Sequence, residues 1–463
     1  MDIVGSMGLT ALSEAVGSEK VFTDPDVLDG YLTDMAAGPL EAGRPAAVVR
    51  VRSTEDVVAA VRWARSSGRC VVPRGAGSGL AGGANALEGS IILSFEKMNK
   101  ILHLDVDEQY AVVQPGVINA DLTTAVLEHG LYYPPDPASK GFSTIGGNIA
   151  TNAGGLCCVK YGVTRDYVLG LTVVLADGEV LRTGRRTAKS VAGYDLTSLL
   201  VGSEGTLAVI TEATLRLAPV PRGVATLAAF FPTLVSAGKA VTAMISEGER
   251  PSLLEIMDQT TIEAVNRATR MGLDEDAAAL LIVQSDLDGP AAGHQIDRFR
   301  GHCDVAGALY VTVTEDAREG EQLLVARREA YPALERLGAT LLDDVAVPRT
   351  KICELIAAIT KIAADVQLTI GTFGHAGDGN MHPTIVYDPD DATQVKSAWV
   401  AFERIVRRAL DLGGTVTGEH GVGLLKREFL ESELGAVSLE LHRRIKSAFD
   451  PDDVMNPGKI FDQ

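Results

Sequence analysis

The chain has 463 residues, 46% of them hydrophobic, and carries 61 acidic against 42 basic side chains, a net charge of −19. That length allows two or three domains with sizeable cores, and the acidic balance argues against nucleic acid and anionic membrane as default partners. The five cysteines (Cys70, Cys157, Cys158, Cys303 and Cys353) form no CxxC pair. They signal neither a disulfide framework nor an iron–sulfur cluster, and a reducing cytoplasm is expected. The first residues lack a basic start followed by an apolar core, and no apolar run approaches the roughly 18 residues of a membrane span. Neither a secretory signal nor a transmembrane helix is expected.

In chain order, residues 1–45 read as a helical lead-in. A helix follows from Ser53 to Arg65, with Ser53 or Thr54 as cap, acidic residues in its first turn and an apolar stripe of Val57, Val58, Val61 and Ala64. Cys70–Val72 reads as a strand entering PRGAGSGLAGG. Further strands are expected at 91–95, 101–104 and 110–113, a helix at 119–129, a hairpin turning at Asp177-Gly178 and a strand at 207–217. From Val224 the texture changes to strands near 225–230, 253–257, 279–284 and 308–312 alternating with helices. This predicts a smaller antiparallel sheet with helices on one face, ferredoxin-like in style, with the histidine motifs after it.

Three glycine-rich patches stand out. Gly77-x-Gly79-x-x-Gly82 matches a dinucleotide fingerprint and follows a strand, but too few residues separate Gly83 from the strand at Ile91 to hold the helix of a Rossmann unit. Its backbone N–H groups can still cradle a pyrophosphate as a nest. The second patch, 134–155, is rich in Gly, Asn, Thr and Ala with little charge or bulk; the third is VGSEGTLAVIT, 201–211. Patches spread so widely imply one large, elongated ligand.

Towards the C-terminus, GHAGDGNMHP places His375 and His382 around Asp378-Gly379, and TGEHGVG supplies Glu419 and His420. A two-residue Asp-Gly turn would set His375 directly opposite His382, with Cβ atoms roughly 5 Å apart. Two imidazoles at that spacing can share a metal, and Glu419 can complete a site with an open position. A lone histidine is more often a packing or surface residue. Here, however, three of only eight histidines fall in two short glycine-rich segments.

Taken together, PRGAGSGLAGG, PDPASKGFSTIGGNIATNAGG, KYGVTRDYVLGLTVVLADGEV, GYDLTSLLVGSEGTLAVITEATLRLAP, FGHAGDGNMHP, TGEHGVG and MNPGKIF resemble, in this order, the FAD-dependent 2-hydroxyacid dehydrogenases of the vanillyl-alcohol-oxidase/PCMH superfamily. The branch of the glycolate oxidase catalytic subunit and its D-lactate dehydrogenase relatives is the nearest match. The resemblance implies an α+β fold: a PCMH-type FAD-binding domain of two α+β subdomains (1–221), a substrate (cap) domain with the metal site (222–425), and a C-terminal segment returning to the flavin (426–463).

Carried over, Pro73, Arg74, Gly75, Ala76, Gly77, Ser78, Gly79 and Leu80 would hold the FAD pyrophosphate. Asp136, Pro137, Ser139, Thr144, Gly146, Gly147, Asn148, Thr151, Asn152 and Gly154 would line the flavin, with Glu204, Gly205 and Ile210 nearer the adenosine or ribityl portion and Asn456 coming from the tail. No histidine lies between Pro73 and Gly83, so FAD is expected to be non-covalent. The cysteines Cys157 and Cys158 are read as packing residues.

The resemblance further implies a divalent metal, zinc by default, on His375, His382 and Glu419, with His420 as base. Arg327 would hold the substrate carboxylate, and Tyr331, Asn380 and Thr384 would line the substrate. The relatives that oxidise D-2-hydroxyglutarate or D-malate have Thr, Lys and Asn where this chain has Tyr331, Leu342 and Thr384. A second carboxylate therefore loses its cationic partner, and the expected substrate is a monocarboxylate: glycolate, D-lactate or a longer D-2-hydroxy acid. The metal would acidify the hydroxyl, a base take its proton, and flavin N5 accept hydride. Two alternatives remain at this point, a flavin-dependent alkyl transferase on the same scaffold and a flavin subunit of a larger oxidase complex. The electron acceptor (oxygen, a quinone, an electron-transfer flavoprotein or a partner subunit) and homodimer formation stay open, and a quinone acceptor would place the protein at the inner membrane surface.

Overall fold

The computed structural model describes residues 3–36, 40–187, 189–248 and 250–462. Two units divide the chain. One comprises Met1–Ala153, Val163–Val220 and His420–Gln463; the other comprises Gly154–Gly162 and Pro221–Glu419.

Two larger sheets build the first unit, beside a two-stranded pair of Leu131–Tyr132 and Ala218–Pro219. In one, strands Ala47–Arg50, Ile91–Ser94 and Val71–Arg74 run parallel, and Val21–Phe22 adds antiparallel to Ala47–Arg50. Its strands are Val/Ile/Leu-rich because both faces are covered, as parallel strands require. Val48, Val72 and Ile92 pack on one side with Leu28 and Ala86. On the other, Val49, Val71, Ile91 and Leu93 meet Val57, Val61 and Ala64 of helix Thr54–Ser66. That helix starts as its sequence predicts: Ser53 accepts a hydrogen bond from the Asp56 amide. The C-terminal tail returns here, since Met455 bridges Val71 in parallel and the Asn456 amide donates to the Val71 carbonyl. The second sheet is a five-stranded antiparallel one, ordered Ile101–Asp105, Tyr110–Val113, Val209–Arg216, Val168–Val174, Val180–Gly184. These two α+β halves match the expected fold class.

The second unit departs from the expected small sheet. Its sheet has eight strands and is antiparallel throughout. The strands run in the order Tyr310–Thr314, Ala225–Phe231, Ala279–Ser285, Leu253–Asp258, Thr369–His375, Asn380–Tyr387, Ala339–Leu342, with Val345–Ala346 also paired to Asn380–Tyr387. The histidine hairpin therefore lies inside this sheet and does not follow it. Ala225–Phe231 and Leu253–Asp258 are buried at every position, so both faces are covered, which corrects the one-faced expectation. No described helix is long and apolar enough to cross a membrane.

Candidate functional site

The first and third glycine-rich patches and the second up to Ala153 converge within the first unit. A Cβ at Gly75 would collide with the Thr144 hydroxyl, and one at Gly205 would lie 2.6 Å from the Pro73 ring. Asn456 closes the cluster, donating from Nδ2 to the carbonyls of Gly83 at 2.9 Å and Glu204 at 2.8 Å. Among the described residues, no backbone N–H from Gly75 to Gly83 donates to a protein acceptor. Nine successive free donors in a half-open loop form the nest that a pyrophosphate would fill, so the residues fit FAD.

Not every residue carried over offers its side chain to a ligand. Arg74 turns inward, donating to the carbonyls of Thr33 and Ala84, with its guanidinium over Tyr31. Asn148 sits in a buried network, accepting from Asn119 and donating to Ser143. Thr144 caps helix Ile145–Thr151 by accepting from the Gly147 amide, Gly146 packs on Pro115, and Thr151 bonds back to the Gly147 carbonyl. Asn152 ends that helix in a left-handed conformation and accepts from the Arg165 amide. Asp136 is 3.9 Å from Lys140, and the carbonyls of Pro137 and Ser139 hold the turn that follows. Ile210 pairs with Val173 inside the five-stranded sheet. The Glu204 carboxylate is taken by the amides of Val422 at 2.7 Å and Gly423 at 2.8 Å. It therefore holds the loop that follows His420. Ala76, Gly77, Ser78, Gly79 and Leu80 remain half-buried or exposed on the loop.

Within the second unit, strand Thr369–His375 pairs with Asn380–Tyr387, but not in the register that a two-residue turn predicts. His375 opposes Asn380, and His382 opposes Phe373. The turn has four residues, 376–379, closed by the Asp378 and Gly379 amides on the His375 carbonyl. Only Gly379, φ +95°, takes a positive φ in it, whereas a two-residue type I′ turn needs two such residues. His375 and His382 are thus diagonal neighbours on one face, which is still within reach of long side chains. Their Nε2 atoms are 3.4 Å apart, and Glu419 Oε1 is 3.5 Å from the first and 3.4 Å from the second. Donors about 2.1 Å from an ion at tetrahedral angles are about 3.4 Å from one another, so the triangle has the size a zinc-like cation needs.

Behind each histidine lies a carboxylate that the sequence reading missed. Glu255 Oε1 meets His375 Nδ1 at 2.7 Å, and Oε2 accepts from Arg327 Nε at 2.6 Å. Asp344 Oδ1 is 3.8 Å from His382 Nδ1, while its Oδ2 accepts from the Thr417 hydroxyl and from the amides of Gly418 and Glu419. A glutamate inside the mostly apolar Leu253–Asp258 and an Asp343-Asp344 pair ahead of Val345 were the available signals, because a buried charge needs a partner. Glu255, Asp344 and Glu419 outweigh Arg327, and a divalent cation would offset the excess. Burial opposes charge on His375, but Glu255 and Glu419 raise its pKa well above the ordinary value. Burial likewise opposes ionisation of Glu419, but His375 and His382 hold its pKa well below the ordinary value.

The remaining expected substrate residues fall around this centre in different ways. Arg327 is buried, its guanidinium 4.6 Å over the Phe373 ring. Asn380 shares the strand face of His382 and packs its amide on Gly418. Thr384, fully buried, lies on the same face, its hydroxyl 3.4 Å from the His382 carbonyl. Tyr331 directs its hydroxyl to Thr340 at 3.1 Å. Gly154, expected to line the flavin, lies against the metal-ligand candidate Glu419. The expected base, His420, follows Glu419 in the chain and belongs to the first unit.

Comparison with known proteins agrees with both units. Residues 45–184 match the family described as "FAD binding domain" and residues 220–460 match "FAD linked oxidases, C-terminal domain". The chain is 42% identical to the glycolate oxidase subunit GlcD of Bacillus subtilis, covering 92% of this chain and 91% of that protein. It is 36% identical to a D-lactate dehydrogenase of Anaerostipes hadrus, over 96% of this chain and 95% of the other. Among solved structures, p-cresol methylhydroxylase with substrate bound shares the fold at a TM-score of 0.82 and 18% identity, over 100% of this chain and 98% of that one.

Proposed function

This chain belongs to the FAD-linked oxidases, and we propose that it oxidises a D-2-hydroxy monocarboxylate, such as glycolate, D-lactate or a longer homologue, to the 2-oxo acid. One observation carries the reading: Glu255 joins the His375–His382–Glu419 triangle to the guanidinium of Arg327. A 2-hydroxy acid presents a hydroxyl and a carboxylate on adjacent carbons, the two groups that such a pair of neighbouring sites would take. The names of the relatives, glycolate oxidase subunit and D-lactate dehydrogenase, support the same substrate class.

When bound, FAD supplies the hydride acceptor and a divalent metal the polarising charge. His375, His382 and Glu419 would hold that metal, with zinc the default for two imidazoles and one carboxylate. Arg327 would grip the substrate carboxylate through its terminal nitrogens. His420 would take the hydroxyl proton. Leu342 and Tyr331 pack with the apolar core of this unit, which supports a substrate without a second carboxylate.

The test is an anaerobic titration of the yellow protein followed by its visible spectrum. Glycolate or D-lactate should bleach the flavin, and prior chelation should prevent it. Bleaching that survives complete metal removal would overturn the metal role, and good turnover of D-2-hydroxyglutarate at low KM would overturn the monocarboxylate assignment. Flavin that no 2-hydroxy acid reduces would favour an alkyl transferase or a non-catalytic subunit.

A further inference from the structure

Glu255 touches neither of the groups a substrate would meet first, yet it contacts both residues that would hold them. It is 1% exposed, in a strand otherwise made of Leu253, Leu254, Ile256, Met257 and Asp258. Pairing of Leu253–Asp258 with Thr369–His375 puts Glu255 directly opposite His375. Its two oxygens are divided, one on His375 Nδ1 at 2.7 Å and the other on Arg327 Nε at 2.6 Å. The guanidinium lies over the ring of Phe373, two residues before His375.

We propose that Glu255 is the positioning residue that locks the metal-binding edge of His375 and the carboxylate-binding fork of Arg327 into one rigid unit. This rests on the metal and Arg327 roles given above. With Nδ1–H donated to Glu255, His375 keeps the Nε2 lone pair for a metal, the tautomer that carboxylate–histidine–metal pairs fix. With Nε committed to the same carboxylate, Nη1 and Nη2 of Arg327 would be left for the substrate carboxylate. One side chain thereby sets the spacing between the hydroxyl-binding and the carboxylate-binding ends of the site. No neutral residue of this shape can replace it. A glutamine amide has one acceptor oxygen and one donor nitrogen, so either His375 or Arg327 would face it donor to donor.

The experiment uses the FAD-loaded protein and zinc, with the zinc Kd measured by competition with a chromophoric chelator and D-lactate kinetics run at saturating zinc. Glu255→Gln should weaken zinc binding by about 10- to 100-fold and raise KM for D-lactate more than it lowers kcat. Glu255→Asp keeps the charge one methylene short and should fall between wild type and Gln in zinc affinity; it decides alone if the Gln protein does not fold. His375→Ala is the control. If wild type binds no zinc, or His375→Ala binds it as wild type does, the metal reading itself fails. If the control loses zinc while both Glu255 variants keep wild-type zinc Kd and KM and lose only melting temperature, Glu255 is merely structural and the inference falls.

Discussion

Replacing Gly154 with alanine should empty the metal site while leaving the flavin in place. A Cβ built at Gly154 lies 2.5 Å from Glu419 Oε2 and 3.3 Å from Glu419 Cβ. The carboxylate would have to retreat by about 0.9 Å to reach ordinary contact at 3.4 Å. It cannot simply swing aside, because the Glu419 stem is crowded as well and its backbone amide is held by Asp344. Metal–ligand distances tolerate only about 0.2 Å. Moving one of three protein ligands by several times that amount should cost at least what losing a ligand's supporting group costs, about 10- to 100-fold in affinity, or about 1.4 to 2.7 kcal/mol. Gly154 has no positive φ, so alanine brings no backbone strain to confuse the result. Metal content after dialysis, zinc Kd by chelator competition and the flavin absorbance of the same sample give the answer. The position of Gly154 within the second glycine patch in sequence suggests the opposite outcome, loss of flavin with metal retained. A variant that keeps wild-type zinc affinity, or that loses FAD first, would refute the packing argument.

Arg327→Lys retains the buried charge but not the planar fork, so KM for D-lactate should rise by about 10- to 100-fold with a smaller fall in kcat; an unchanged KM in steady-state assays would move the carboxylate site elsewhere. Glu204 provides a pH test. Burial pushes its carboxyl up from 4.5 to about 7, against the lowering effect of the Val422 and Gly423 amides and Lys459. Between those values the unfolded chain ionises while the folded carboxyl keeps its proton, so this group lowers stability as pH rises from about 4.5 to 7, by a total on the order of 3 kcal/mol. Glu204→Gln should flatten that part of the curve relative to wild type in urea unfolding at pH 5 and pH 7.5, and parallel curves would show that the carboxyl titrates normally.

What the sequence made legible was local. Ser53 ahead of an apolar stripe, the strands at Ile91, Ile101 and Tyr110, and the absence of room for a helix after Gly83 all concern residues a few places apart, and the structure has them. The ferredoxin-style reading fell short because strands such as Thr369–His375 join Leu253–Asp258 across more than a hundred residues, and no local period reports such pairing.

The histidine pair shows why a wrong turn can still bring the two side chains together. Asp378-Gly379 suggested a two-residue turn, but Asp378 does not take the positive φ that turn needs, and the loop lengthens to four residues. Pairing therefore shifts by two residues. Side chains alternate with a period of two along a strand, so an even shift changes which residues are opposed but not which face they occupy. A shift of one would have put His375 and His382 on opposite faces and abolished the site. The companions of the pair follow a different logic. Glu255 reaches His375 only because two strands distant in sequence are neighbours, and Asp344 reaches the Glu419 loop from a separate strand end. From sequence alone, a charged residue in an apolar strand announces that it must have a partner. Only the register of the sheet says that the partner is His375 on one oxygen and Arg327 on the other.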